Sequence, residues 1–139
     1  MILSDLGGFD FKRLPDVRGS YKKHAVMAPY TWFRVGGATT VFRPHDDEDL
    51  SQFLLKNSDE VPVTIIGAAS NILIRDGGIP GVVIKLGKNF ASISFKSNSV
   101  RIGAALPNGI AARLAQKKGY SGLESVSYTH LTLPTICSV

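Results

Sequence analysis

Apolar and polar positions along this chain change period several times, and each change marks an element. Residues before Pro29 mix charge, Gly and Pro with no sustained period, so they read as a leading arm with one short helix. From Thr31 to Pro44 ("TWFRVGGATTVFRP") aromatic and β-branched residues surround Gly36 and Gly37, which predicts two short strands hinged at the glycines. Trp32 and Phe33 are expected in the core. In "HDDEDLSQFLLKN" the apolar residues Leu50, Phe53 and Leu54 recur three and four apart, the period of an amphipathic helix. Asp46 or Asp47 caps it, since a short carboxylate accepts the free amides of a first turn and the following acids suit its positive end.

Three β-branched runs follow: Val61–Gly67, "NILI" from Asn71 to Ile74, and "GVVIKL" from Gly81 to Leu86. Each is too short for a helix and predicts a strand. "RDGGIPG" joins the last two, Asp-Gly supplying the positive φ of a tight turn. "FASISF" and "SVRIGAAL" predict a hairpin around Ser97–Ser99. Pro107 then opens "PNGIAARLAQKKG", with Ile110, Ala111, Leu114 and Ala115 on one face and Gly119 as the stop. The sum is a sheet carrying two helices, an α+β fold.

Composition narrows the classes. The 139 residues, 44% hydrophobic and 19% charged, suit one globular domain. No apolar run approaches the roughly 18 residues that span a bilayer, so no membrane insertion is expected. The first residues lack the long apolar centre and small-residue cleavage site of a signal peptide, which makes the cytoplasm the expected location. Cys137 is the single cysteine, so the chain holds no internal disulfide. The net charge of +5 favours anionic partners, but the basic residues are scattered apart from "YKKH" and "AQKKG", so no nucleic-acid stripe is expected. His24, His45 and His130 lack metal-site spacing, so no metal is expected. Ser4, Ser20 and Ser70 have no patterned histidine base, and a helix start explains Asp46–Asp49.

The chemistry concentrates at Gly67, Ala68, Ala69, Ser70 and Asn71, small residues that follow a strand ending abruptly. Successive amides of this kind form an anion nest, and small side chains let a pyrophosphate approach the main chain. The same stretch also reads as a Gly/Ala turn that permits tight strand packing. Neither the Gly-x-Gly-x-x-Gly fingerprint nor a Gly-Lys-Ser/Thr loop is present.

"TWFRVGG", "IIGAASNILIRDGGIPGVVIKL", "VRIGAAL" and "GYSGLE", in this order, resemble the flavin-binding half of the UDP-N-acetylenolpyruvoylglucosamine reductase family over residues 14 to 124. The resemblance implies part of a vanillyl-alcohol-oxidase (PCMH-type) fold, with FAD between two α+β subdomains. It implies that Gly67, Ala68, Ala69, Ser70 and Asn71 grip the pyrophosphate, with Ile72 and Leu73 beside the adenine or ribitol. Asp76, Gly77, Gly78 and Gly81 would shape the neighbouring turn. Thr31, Arg34, Gly36 and Gly37 would touch the cofactor, and Gly103, Ala104 and Ala105 would form a second wall. Ala69 and Ser70 stand where some flavoenzymes of this fold carry a linking histidine, so the flavin would be non-covalent.

The family passes hydride from NADPH through FAD to a UDP-sugar enolpyruvyl ether in peptidoglycan synthesis. Its Gly-Ile-Pro-Gly, Asn-Ala-Gly and substrate-domain motifs are missing after Glu124, so no catalytic residue is assigned here. The expected organisation is an arm (1–28), a partial FAD-binding domain (29–124) and an atypical tail (125–139). That tail has no Lys, Arg, Asp or Glu, and reads as a foreign or frame-shifted junction. Two other classes stay open: another FAD-dependent oxidoreductase of this fold, and a non-enzymatic module for an anionic nucleotide.

Overall fold

The computed structural model describes residues 14–57, 59–69 and 72–123. They fall into two compact units that divide between Phe90 and Ala91. The fold class is α+β, as expected, but with two separate sheets in place of one.

The first unit is built on a four-stranded sheet: β1 (Ser20–Val26), β2 (Ala38–Arg43), β3 (Val63–Ile66) and β4 (Val82–Lys85), in the order β1-β2-β4-β3. β1 runs antiparallel to β2, while β4 lies parallel to both β2 and β3. Side chains alternate across a strand, so consecutive residues enter different cores. Val41 and Val83 are paired and join Ala25, Met27, Ile66 and Ile74 on one face. Phe42 and Ile84, the next pair, join Phe53, Val61 and Val82 on the other.

Helix α1 (Asp47–Lys56) covers the second face, with the Phe53 and Phe42 ring centroids 4.6 Å apart. Asp46 caps it through a 2.9 Å bond from the Asp49 amide. The expected stripe holds at Phe53 and Leu50, whereas Leu54 is 48% exposed and Asp49 is buried. A carboxylate tolerates that position because it accepts the backbone amides of Arg18 (2.7 Å), Gly19 (2.9 Å) and His45 (2.9 Å). Within the first unit, no helix among the described residues packs on the first face. Irregular chain does so, bringing Tyr30, Ile72, Ile74 and Ile79 onto the sheet.

That cover explains two departures from the periodicity. "NILI" forms no strand among its described residues 72–74, because its isoleucines close the core from above instead of joining the ladder. Thr31–Pro44 contributes one strand, β2; a short 3₁₀ turn at Ala28–Tyr30 precedes it and residues 31–37 are irregular. A third departure is β1, which occupies residues read as an arm. Its alternation is broken by a bulge between Lys22 and Ala25, with His24 at φ 51°, and the break hides the strand period.

The second unit contains the expected hairpin, β5 (Ile93–Lys96) and β6 (Ser99–Ile102), followed by α2 (Asn108–Lys117). Ala111 and Ala115 are the buried residues of α2, Leu114 is half-buried, and Ile110 is exposed. Gly119 stops the helix at φ 76°. Phe95 packs against Tyr120 with centroids 5.2 Å apart, and the Tyr120 hydroxyl donates to the Lys96 carbonyl.

Candidate functional site

β2, β4 and β3 are parallel, so Arg43, Lys85 and Ile66 end at one edge of the sheet. Ligands of open α/β sheets gather outside such carboxyl ends. Immediately beyond Ile66 come Gly67 and Ala68, both exposed, and Ala69, which is buried. Ala69 holds φ 52°, the left-handed region that an alanine adopts at a cost of about 1–2 kcal/mol. Its carbonyl accepts the Trp32 amide at 3.2 Å, which pins the loop in that conformation. Among the described residues the Ala68 and Ala69 amides donate no backbone hydrogen bond. Among the described residues, a β-carbon added to Gly67 would meet nothing within 4 Å, so they leave the space outside this loop open. Ser70 and Asn71 lie outside the described residues.

The Trp32 amide belongs to a tight turn from Thr31 to Val35. The buried Thr31 hydroxyl donates to the Val35 carbonyl (2.8 Å), and the Arg34 amide donates to the Thr31 carbonyl (3.2 Å). Thr31 thus shapes the turn, and Arg34, exposed at φ 52°, stands on it. Two of the chain's three described non-glycine residues at positive φ, Arg34 and Ala69, therefore sit on loops joined by one hydrogen bond. Trp32 and Phe33 correct the expectation of core positions: they are 76% and 62% exposed, because the turn points them away from the sheet.

Several glycines of the sequence motif are explained by close backbone approach. The Gly37 amide donates to the Arg75 carbonyl at 3.0 Å, and a β-carbon there would overlap the Asp76 carbonyl oxygen. One on Gly81, at φ 76°, would overlap the Pro62 carbonyl oxygen. Gly36 and Gly78 are similarly crowded, by Ile74 and by the Ala38 carbonyl. These residues position the loops. Gly77 differs, having open space around it, and Asp76 is exposed. Ile72 packs against the core, while the adjacent Leu73 is 70% exposed. Gly103 and Ala104 belong to the second unit, where the Gly103 amide donates to Ser92 (2.7 Å) and its carbonyl accepts from Leu106 (3.0 Å).

Sequence reasoning missed Lys85. Its ammonium donates to the Gly67 carbonyl at 3.4 Å and brings positive charge to the rim of the loop. The signal was present, since Lys85 lies two residues beyond Val83 on one strand and so shares its face. Among the described residues, no group of three or more His, Cys, Asp or Glu is placed to hold a metal ion, and no helix is long and apolar enough to cross a membrane.

Known proteins resemble this chain over most of its length. A UDP-N-acetylenolpyruvoylglucosamine reductase from Parvibaculum lavamentivorans is 50% identical over 113 residues, which cover 81% of this chain and 36% of the relative. The protein of that name from Rickettsia akari is 48% identical over 112 residues, 80% of this chain and 38% of the relative. The crystal structure of UDP-N-acetylenolpyruvylglucosamine reductase from Thermus caldophilus superposes with a TM-score of 0.59 at 27% identity, covering 78% of this chain and 37% of that one. The chain thus spans little more than a third of the relatives it matches. The FAD binding domain family matches residues 38–133, well over half of the chain, including β2, β3, β4 and the Gly67–Ala69 loop, and the chain belongs to that family.

Proposed function

We propose that this chain is the FAD-holding portion of an NADPH-dependent reductase acting on the enolpyruvyl ether of a UDP-sugar in cell-wall precursor synthesis. The observation that carries the reading is the Gly67–Ala69 loop: an open backbone edge at the carboxyl ends of parallel strands, inside the segment matched by the FAD binding domain family. The names and identities of the relatives support the wider activity.

In this reading the amides of Gly67, Ala68 and Ala69, continued by Ser70 and Asn71, receive the pyrophosphate oxygens of a non-covalent FAD. The Thr31–Val35 turn holds the loop through the Trp32 amide and offers Arg34 to the nucleotide. Ile72, Gly78 and Gly81 keep the loop at its height above the sheet, leaving Leu73, Asp76 and Gly77 to face the ligand. When bound, the flavin supplies hydride chemistry, and this chain supplies grip and orientation. No acid or base for the substrate is assigned to it, so turnover belongs to the longer protein.

The test is FAD titration, read by flavin fluorescence, of the wild-type chain and a Gly67→Leu variant. The β-carbon at this position has room, so the variant should keep its circular dichroism and melting temperature. Its side chain would fill the cradle, and FAD affinity should fall at least tenfold. Equal affinity in a folded variant would remove the loop from the site.

A further inference from the structure

Three cations converge on one ring beside this loop. Lys22 Nζ, Arg43 Cζ and Lys85 Nζ lie 6.0, 5.8 and 5.4 Å from the centroid of Tyr30. The sheet dictates the meeting. Lys22 is paired with Val41 across β1 and β2, Arg43 lies two residues beyond Val41, and Lys85 two beyond Val83. Val41 and Val83 share one core, so all three basic side chains share its face. Tyr30 packs against the same core.

Like charges are not gathered without compensation. The negative face of the ring offsets part of their repulsion, and the Tyr30 hydroxyl accepts from Arg43 Nη2 at 3.4 Å. Among the described residues no carboxylate completes the balance: the salt bridges there join Arg18 to Asp46 and Glu48. Burial, and then the neighbouring Arg43, hold the Lys85 ammonium below the ordinary lysine range, with Tyr30 opposing them. An anion among these groups would reverse that destabilisation.

We propose that Lys22, Arg43, Lys85 and the Tyr30 hydroxyl form a binding site for the oxygens of a phosphate or pyrophosphate group. Arg43 supplies a planar pair of donors and the lysines supply point charges, the division of labour common at phosphate sites. Tyr30, accepting from Arg43, retains its own proton to donate to an anionic oxygen. Two sources share this chemistry. Because Lys85 touches the Gly67 carbonyl, the anion is either the bridge of a dinucleotide held by the loop, an arm that rests on the flavin reading, or a separate phosphate docked beside it.

The experiment is calorimetric titration of the intact chain with inorganic pyrophosphate, with and without FAD, at low and high salt. Saturable binding that weakens with salt is expected, with affinity falling at least tenfold in Arg43→Met and Lys85→Met. The exposed Lys22→Met is the variant least able to disturb folding, and should lose about threefold, while Lys56→Met, removing a distant charge, should lose none. Competition between FAD and pyrophosphate would assign the site to the dinucleotide bridge, and simultaneous binding to a separate phosphate; both support the cluster. Pyrophosphate binding lost in the variants of a chain that ignores FAD would also support it, and would sink the flavin reading alone. Unchanged affinity in folded Lys22→Met and Lys85→Met, or an equal loss in Lys56→Met, would overturn the proposal.

Discussion

Replacing Asp49 with Asn removes one charge from the centre of the first unit while leaving its shape intact. Gly19 and His45 donate to one carboxylate oxygen, both at 2.9 Å, and Arg18 donates to the other at 2.7 Å. Asparagine keeps an acceptor for the first pair and turns its own NH2 towards the Arg18 amide, donor against donor. One charge-assisted bond is lost, at about 1.5–3 kcal/mol, and two weaken towards the roughly 1 kcal/mol of a neutral bond. With partial relaxation, we expect Asp49→Asn to cost about 2–4 kcal/mol, a large part of the roughly 5–15 kcal/mol that holds a domain.

Urea unfolding followed by circular dichroism measures this loss directly, with the m-value unchanged. The acid limb supplies a second readout. Burial pushes the Asp49 carboxyl up, but the three amide donors and Arg18 outweigh it and hold the group below its usual 3.8. A depressed folded pKa gives stability that is complete above the unfolded value and is lost as pH falls through the folded one. The gap between wild type and Asp49→Asn should therefore narrow below about pH 4. A loss under about 1 kcal/mol at neutral pH, or a gap that does not narrow in acid, would refute the account of this carboxylate.

Other expectations follow from single contacts. Gly81→Ala combines φ 76° with a clash against the Pro62 carbonyl and should cost about 2–4 kcal/mol by urea unfolding, whereas Gly67→Leu should change stability by less than about 0.5 kcal/mol. Thr31→Val removes the hydroxyl bond to Val35 from a buried turn, and should lower stability by about 1–2 kcal/mol and weaken FAD binding through the displaced Trp32 amide. Tyr21 is pushed up to about 12 by burial and by the charges of Asp49 and Asp16. Its proton is held more tightly in the folded state, so stability should fall as pH rises from about 10 towards the folded value, and Tyr21→Phe should flatten that slope.

Local chemistry, wherever one element answers for itself, was legible in the sequence. Asp46 capping α1, the β5–β6 hairpin and the Gly119 stop depend on a few adjacent residues, and each stands where the pattern put it. The small-residue motif from Gly67 onward was visible for the same reason. Tertiary structure decided what those residues meet. Ile72 and Ile74 read as a strand because periodicity registers apolarity, yet they roof one face of the first sheet. Trp32 and Phe33 read as core because their size argues for burial, yet the turn secured by Thr31 faces them outward. Lys22, Arg43 and Lys85 are distant and unremarkable in the chain. Only the pairing of β1, β2 and β4 carries them to one ring, since strand register converts separation in sequence into a few ångströms of space.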